Sequence, residues 1–223
     1  MKKNIIDNFE NVDIFIHAWN TKLSKYESSI SGLNTGYVLE DLASSLINTY
    51  SPKEIEIEES KIFEESKEYP YPVPEGWPAN NVFSMFYSTK ICVSLKRKHE
   101  YSNNFKYDWV FRTRFDYAIN RKFTESILKD LKDDTFYSPH VVREGNIHCH
   151  GDFNFGSSKV IDCLGETFDN ITRYGKTSTT LAVESMSYRQ IVENKYKIEE
   201  FDLYNQFPPS QHAACWHSLW GHR

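Results

Sequence analysis

The sequence predicts an α/β sandwich with a mainly parallel central sheet. Three observations carry this expectation. Short runs of β-branched and aromatic residues alternate with longer segments of helical spacing, as parallel strands and their crossover helices do. The run YDWVFRTRFDYAI (107–119) has the apolar core of a buried strand. With 223 residues, 39% hydrophobic and 15% aromatic, the chain can bury a sizeable core as one domain, and no linker or internal repeat divides it.

The elements follow in order. VDIFIHAW (12–19) alternates around β-branched residues and reads as a strand. TGYVLEDLASSLINTY (35–50) has helical spacing and stops before Pro52, and KEIEIEES (53–60) is a short strand. Residues 67–80 hold Pro70, Pro72, Pro74, Gly76 and Pro78 and form a loop. NVFSMFYSTKICVSLKRKHE (81–100) reads as a long amphipathic helix with a basic tail. After the strand at 107–119 comes a helix over 123–132 with Thr124 as its N-cap. TFYSP (135–139) and GDFNFGSS (151–158) are short strands, 159–170 and 179–195 are helices, and YKIEEFDL closes with a strand. The tail SQHAACWHSLWGHR is irregular.

Composition removes several classes of function. The net charge is −5 and no basic stripe is present, so nucleic acid is not expected as a partner. No apolar run approaches the roughly 18 residues of a membrane span. The opening MKKNIIDNF is too short and too polar for a signal peptide. Cys92, Cys149, Cys163 and Cys215 are scattered and form no CxxC pair, which fits reduced thiols in a cytoplasmic protein.

Charge inside a buried strand is costly unless it is paired or used. Alternation puts Arg112, Arg114 and Asp116 on one face of their strand and Phe111, Thr113 and Phe115 on the other. The charges also sit at the strand's carboxyl end, where open α/β sheets bind ligands. The planar fork of arginine suits phosphate oxygens, and Asp116 could hold a divalent ion, Mn²⁺ or Mg²⁺, against the same phosphates. A structural Arg–Asp pair explains the pattern equally well. His17 and Trp19 end the first strand on one face, where a His is more often a hydrogen-bonded structural residue than a working one, and where Trp19 could stack on a base or sugar although a core or rim place is commoner. In NIHCHGDFNFGSS, His148, His150 and Asp152 copy the start of a binuclear metal motif, but Phe153 stands where that motif continues. Asp152 fits a contact to a substrate hydroxyl better. Glu184 lies in the helix that begins near Thr179.

In this order, VDIFIHAWN, SPKEIEIEESKIF, NVFSMFYSTK, YDWVFRTRFDYAI, DFNFGSSKVID and LAVESMSYRQIVENKYKIEEFDL together resemble a group of bacterial and viral glycosyltransferase-like proteins with a GT-A type fold. The resemblance runs through about four-fifths of the chain. It implies a Rossmann-like three-layer sandwich and transfer of a sugar from a nucleotide-sugar donor to a glycan or polysaccharide acceptor. Two departures are visible. The family's upstream strand and SG-x-x-R-like turn have no counterpart, since MKKNIIDNF looks like the helix that would follow them. A single carboxylate, Asp116, stands where many GT-A enzymes carry Asp-x-Asp.

The resemblance implies that Arg112 and Arg114, with a divalent ion on Asp116, hold the departing diphosphate. Asn81, Ser84 and Tyr87 share one face at the start of the long helix and could contact the donor, as could His17 and Trp19. Asp152 is the preferred base for the acceptor proton and Glu184 the second choice. The rival reading is a non-catalytic nucleotide- or carbohydrate-binding domain of the same fold. A metal-dependent hydrolase using His148 and His150 is a third.

Overall fold

A computed structural model describes residues 2–20, 41–67, 79–115, 119, 122–139, 141–142, 148–149, 151–177 and 182–201. Strand β1 (Phe15–Asn20) and strand β2 (Glu54–Glu59) pair in parallel, with helix α1 (Leu42–Tyr50) between them in sequence. Asp41 caps α1 by accepting the Ser44 amide at 2.9 Å, and Ser51 ends it in the left-handed region with φ 47°. A short helix α2 (Glu64–Lys67) leads to the 25-residue helix α3 (Ala79–Asn103). Beyond it come β3 (Val110–Thr113), α4 (Glu125–Leu128), β4 (Thr135–Ser138), β5 (Val141–Val142), β6 (His148–Cys149) and β7 (Phe153–Gly156). The described chain closes with α5 (Ser158–Gly165), α6 (Thr167–Gly175), α7 (Val183–Glu193) and β8 (Lys197–Glu200).

The α/β class holds, but the sheet is mixed. A four-stranded sheet has the order β3-β7-β4-β8, in which β7 is antiparallel to both neighbours and β4 is parallel to β8. The expected mainly parallel central sheet, with 12–18 and 108–115 both in it, is replaced among the described residues by separate sheets for β1 and β3. The reason lies in the connections. Parallel neighbours need a long crossover, usually a helix. Among the described residues between β4 and β7 stands only the small antiparallel pair β5–β6, and β7 returns against β4. Helices α5, α6 and α7 lie between β7 and β8, which supplies the length that the parallel β4–β8 pairing requires.

The segments that enter β1 and β3 are nevertheless tied by side chains. Tyr107, just before β3, donates its hydroxyl to Asp13 at 2.7 Å, and its ring lies 5.9 Å from that of Phe15 at the start of β1. α3 returns the chain from the end of β1, where Tyr87 stacks on Trp19, to the start of β3.

Alternation in the strands divides the core. Phe111, Phe153, Phe155 and Phe123 pack on one face, with Phe111 and Phe155 stacked at 5.2 Å. Phe136, Val160, Ile161, Leu164 and Ile191 fill the opposite face under α5 and α7. A third cluster joins the first half of α3 to α6 and α7 through Phe83, Phe86, Ile171, Tyr174 and Met186. The expected helix over 159–170 is two helices, broken at Gly165–Glu166. Gly165 is pressed against α3, where an added Cβ would lie 2.8 Å from Val93 Cβ. Gly165→Ala should therefore cost about 1–3 kcal/mol through overpacking, readable as a lower urea midpoint at unchanged m-value. Residues 2–8 form two 3-10 turns rather than the expected helix.

The basic tail of α3 keeps Arg97 and Lys98 open to solvent but also holds a buried ion network. The buried stripe Val82, Phe86, Thr89, Val93, Lys96, Glu100 continues down one face of the helix, so its last two turns bury a cation and an anion. Glu100 accepts from Ser158 Oγ at 2.6 Å, from the Tyr107 amide at 3.0 Å and from Lys106 at 2.8 Å. Lys96 stands 2.9 Å from both Glu100 and Asp162. The network ties α3 to α5 and to the segment that enters β3.

Candidate active site

The antiparallel register of β3 and β7 builds the site. Arg112 faces Asn154 and Thr113 faces Phe153, so the next step brings Arg114 opposite Asp152. The Arg114 amide donates to the Asp152 carbonyl at 3.2 Å and extends the ladder by one bond. On the face away from the phenylalanines, Arg114 Nη1 then meets Asp152 Oδ1 at 3.0 Å. Arg112 is partly buried and donates Nη1 to the Gly151 carbonyl. Burial, offset by the nearby Asp152, lowers its pKa to about 10, so it stays charged at neutral pH.

Glu184 joins this group from the first turn of α7. A Cβ added to Gly151 would lie 3.3 Å from Glu184 Oε1, so the carboxylate rests directly against that glycine. Burial pushes its pKa up and the Asp152 charge adds to the effect, while the helix amide and Arg112 work against them. Gly151 thus has Arg112 on its carbonyl and Glu184 against its α-carbon. Cys92 and Cys149 border the group as protonated thiols, raised by burial to about 11 and about 12.

Four of the expected residues, Arg112, Arg114, Asp152 and Glu184, therefore meet at the carboxyl end of β3. Arg114 combines the two alternatives set out for it. It is paired with a carboxylate, yet its side chain is 45% exposed. Asp116, the proposed metal ligand, lies outside the described residues, as do His150 and the side chain of His148. Among the described residues no group of three or more His, Cys, Asp or Glu could hold a metal ion. Among the described residues Asp152 is paired with Arg114, and the donor set there suits an oxyanion rather than a divalent cation.

His17, Trp19 and Tyr87 also come together, around a carboxylate the sequence reading passed over. Glu58 Oε1 lies 3.3 Å from His17 Nε2 and accepts the Tyr87 hydroxyl at 2.9 Å, while Oε2 accepts from Lys61 at 2.9 Å. Lys61 Nζ sits 3.7 Å from the centre of the Tyr87 ring, and Tyr87 stacks on Trp19. The His17 side chain is fully buried, and burial lowers its pKa, leaving it neutral at pH 7 without a charge to offer a phosphate. The signal for Glu58 was the alternation Glu54, Glu56, Glu58 in a strand that pairs in register with β1, where Glu58 stands opposite Trp19. Asn81 is exposed at the start of α3 and Ser84 is half-buried, its carbonyl accepting from Ser88. The neighbouring Asn80 is the structural residue there, accepting the Phe63 amide at 2.8 Å.

Among the described residues, no helix is long and apolar enough to cross a membrane. Comparison with family models, with curated proteins and with solved structures finds no match to this chain, so the site's chemistry carries the functional reading.

Proposed function

We propose that the chain is a glycosyltransferase-like domain of GT-A type that transfers a sugar from a nucleotide-sugar donor to a glycan acceptor. The observation that carries this reading is the meeting of Arg112 and Arg114 with Asp152 and Glu184 at the carboxyl end of β3. The contacts of Tyr107 with Asp13 and Phe15 hold the segments that enter β1 and β3 near each other, as the proposed fold also requires. A cytoplasmic location belongs to the same proposal and is supported by the free thiols Cys92, Cys149 and Cys163.

In the proposed reaction the bond between the anomeric carbon and a diphosphate oxygen breaks, and the diphosphate keeps the electron pair. Two fixed guanidinium groups answer the growing charge better than water does, because they need no reorganisation. In an inverting displacement a carboxylate takes the proton of the acceptor hydroxyl as the new C–O bond forms. Burial raises the Glu184 pKa and so favours proton uptake there, and Glu184 takes the base's role in this scheme.

The test is a thermal-shift screen of nucleotide sugars with and without Mn²⁺. A cognate donor at a hundredfold excess over Kd should raise the midpoint by about 5–10 °C. A flat response across uridine, guanosine, cytidine and thymidine diphospho- or monophospho-sugars would remove the donor-site reading. A shift with no turnover in the presence of varied glycan acceptors would favour the non-catalytic binding domain.

A further inference from the structure

We propose that the Arg112–Arg114 site is an oxyanion site of the diphosphate class that Asp152 occupies in the free protein, and that an incoming diphosphate displaces the Asp152 carboxylate from Arg114. The proposal deepens the nucleotide-sugar reading and rests on it for the source of the diphosphate.

The geometry separates what is fixed from what can move. The backbone at Asp152 is held by the Arg114 amide at 3.2 Å, and the strand that follows is buried. Arg112 is held by the Gly151 carbonyl. The Asp152 carboxylate, by contrast, meets Arg114 through its side chain, at 3.0 Å, with 45% of the arginine and 20% of the aspartate side chain exposed. Breaking this bond calls for rotation about the Asp152 side-chain bonds and not for a shift of the backbone. An ion pair that solvent reaches is worth at most about a fivefold factor in an equilibrium. A diphosphate brings two or more negative charges against one and can address both arginines, so it prevails over a single carboxylate. Asp152 thus acts as an internal placeholder. It neutralises Arg114 while the site is empty and excludes weak monoanions.

The experiment is calorimetric titration of the full chain with inorganic diphosphate in chelator-treated buffer. Wild type, Asp152→Asn, Asp152→Ser and Arg114→Lys are compared, with melting curves as a check on folding. Wild type should bind, and binding should weaken with salt. Removing the competing carboxylate in Asp152→Asn should tighten binding by about fivefold, and Asp152→Ser should do the same. Arg114→Lys, which exchanges a fork for a point charge, should weaken it by about tenfold. Equal or weaker binding by both Asp152 variants, with wild type still binding, overturns the placeholder and leaves the donor site standing. Absence of binding in wild type and in both Asp152 variants overturns the placeholder and the oxyanion site together.

Discussion

Glu100→Ala should lower the stability of the protein by about 3–5 kcal/mol, the largest single-residue loss expected outside the apolar core. Glu100 is fully buried and is the shared acceptor for Ser158, Lys106 and the Tyr107 amide, with Lys96 at 2.9 Å. Alanine would leave the buried Lys96 with only Asp162 and Ser158, and would strand the amide that starts the approach to β3. The pH dependence gives a second measure. Burial alone would raise the Glu100 pKa, but the bonds from Lys106, Ser158, Tyr107 and Lys96 outweigh it and hold the pKa at about 2. A carboxylate depressed in the folded state contributes stability that is complete above its unfolded pKa and disappears as pH falls through the folded one. Urea unfolding of wild type should therefore weaken between about pH 4.5 and pH 2, by up to about 3 kcal/mol from this residue. Glu100→Gln should show a shallower fall across that window. Parallel curves for the two proteins would mean that the network contributes through packing and not through charge.

The same network shows where sequence reading reaches its limit. The apolar positions of α3 and its helical spacing are local properties, and the helix lies where they put it. Whether Lys96 and Glu100 face water depends on Ser158 and Asp162, which lie about 60 residues further along the chain. Nothing local therefore separates the buried Lys96 from the exposed Lys98 two residues on. The strand at Arg112 behaves similarly. Its two faces were legible from alternation, because a period of two is intrinsic to the strand. Its partner was not, because the pairing of Arg114 with Asp152 depends on the register between strands separated by 38 residues. The mixed sheet was hidden for a related reason. TFYSP and GDFNFGSS were legible as strands, but their relative direction is set by the chain between them, whose described residues form the β5–β6 pair. Glu58 had the plainest local signal of the residues overlooked, three glutamates on one face of a short strand, and such a face is ordinarily solvated. It is used here because β1 presents His17 and Trp19 beside it.

Glu184→Gln should lower sugar transfer by about 10²- to 10⁴-fold, the usual contribution of a positioned general base, while donor binding and the fold are retained. The amide keeps the shape that rests against Gly151 but cannot take a proton. The stability of this variant should move opposite to that of the Glu100 variants. Burial raises the Glu184 pKa, so its ionised form is penalised in the folded protein and stability is lost as pH rises from the unfolded carboxyl pKa through the folded one. Glutamine carries no such penalty. At pH 7 Glu184→Gln should therefore be at least as stable as wild type, and its advantage should vanish below about pH 4, where both side chains are neutral. A base kept under strain by its surroundings predicts this combination of lost turnover and undiminished stability. A variant that lost stability at pH 7 in parallel with activity would place Glu184 among the structural residues that hold α7 on the sheet, and the proton acceptor would have to be sought elsewhere.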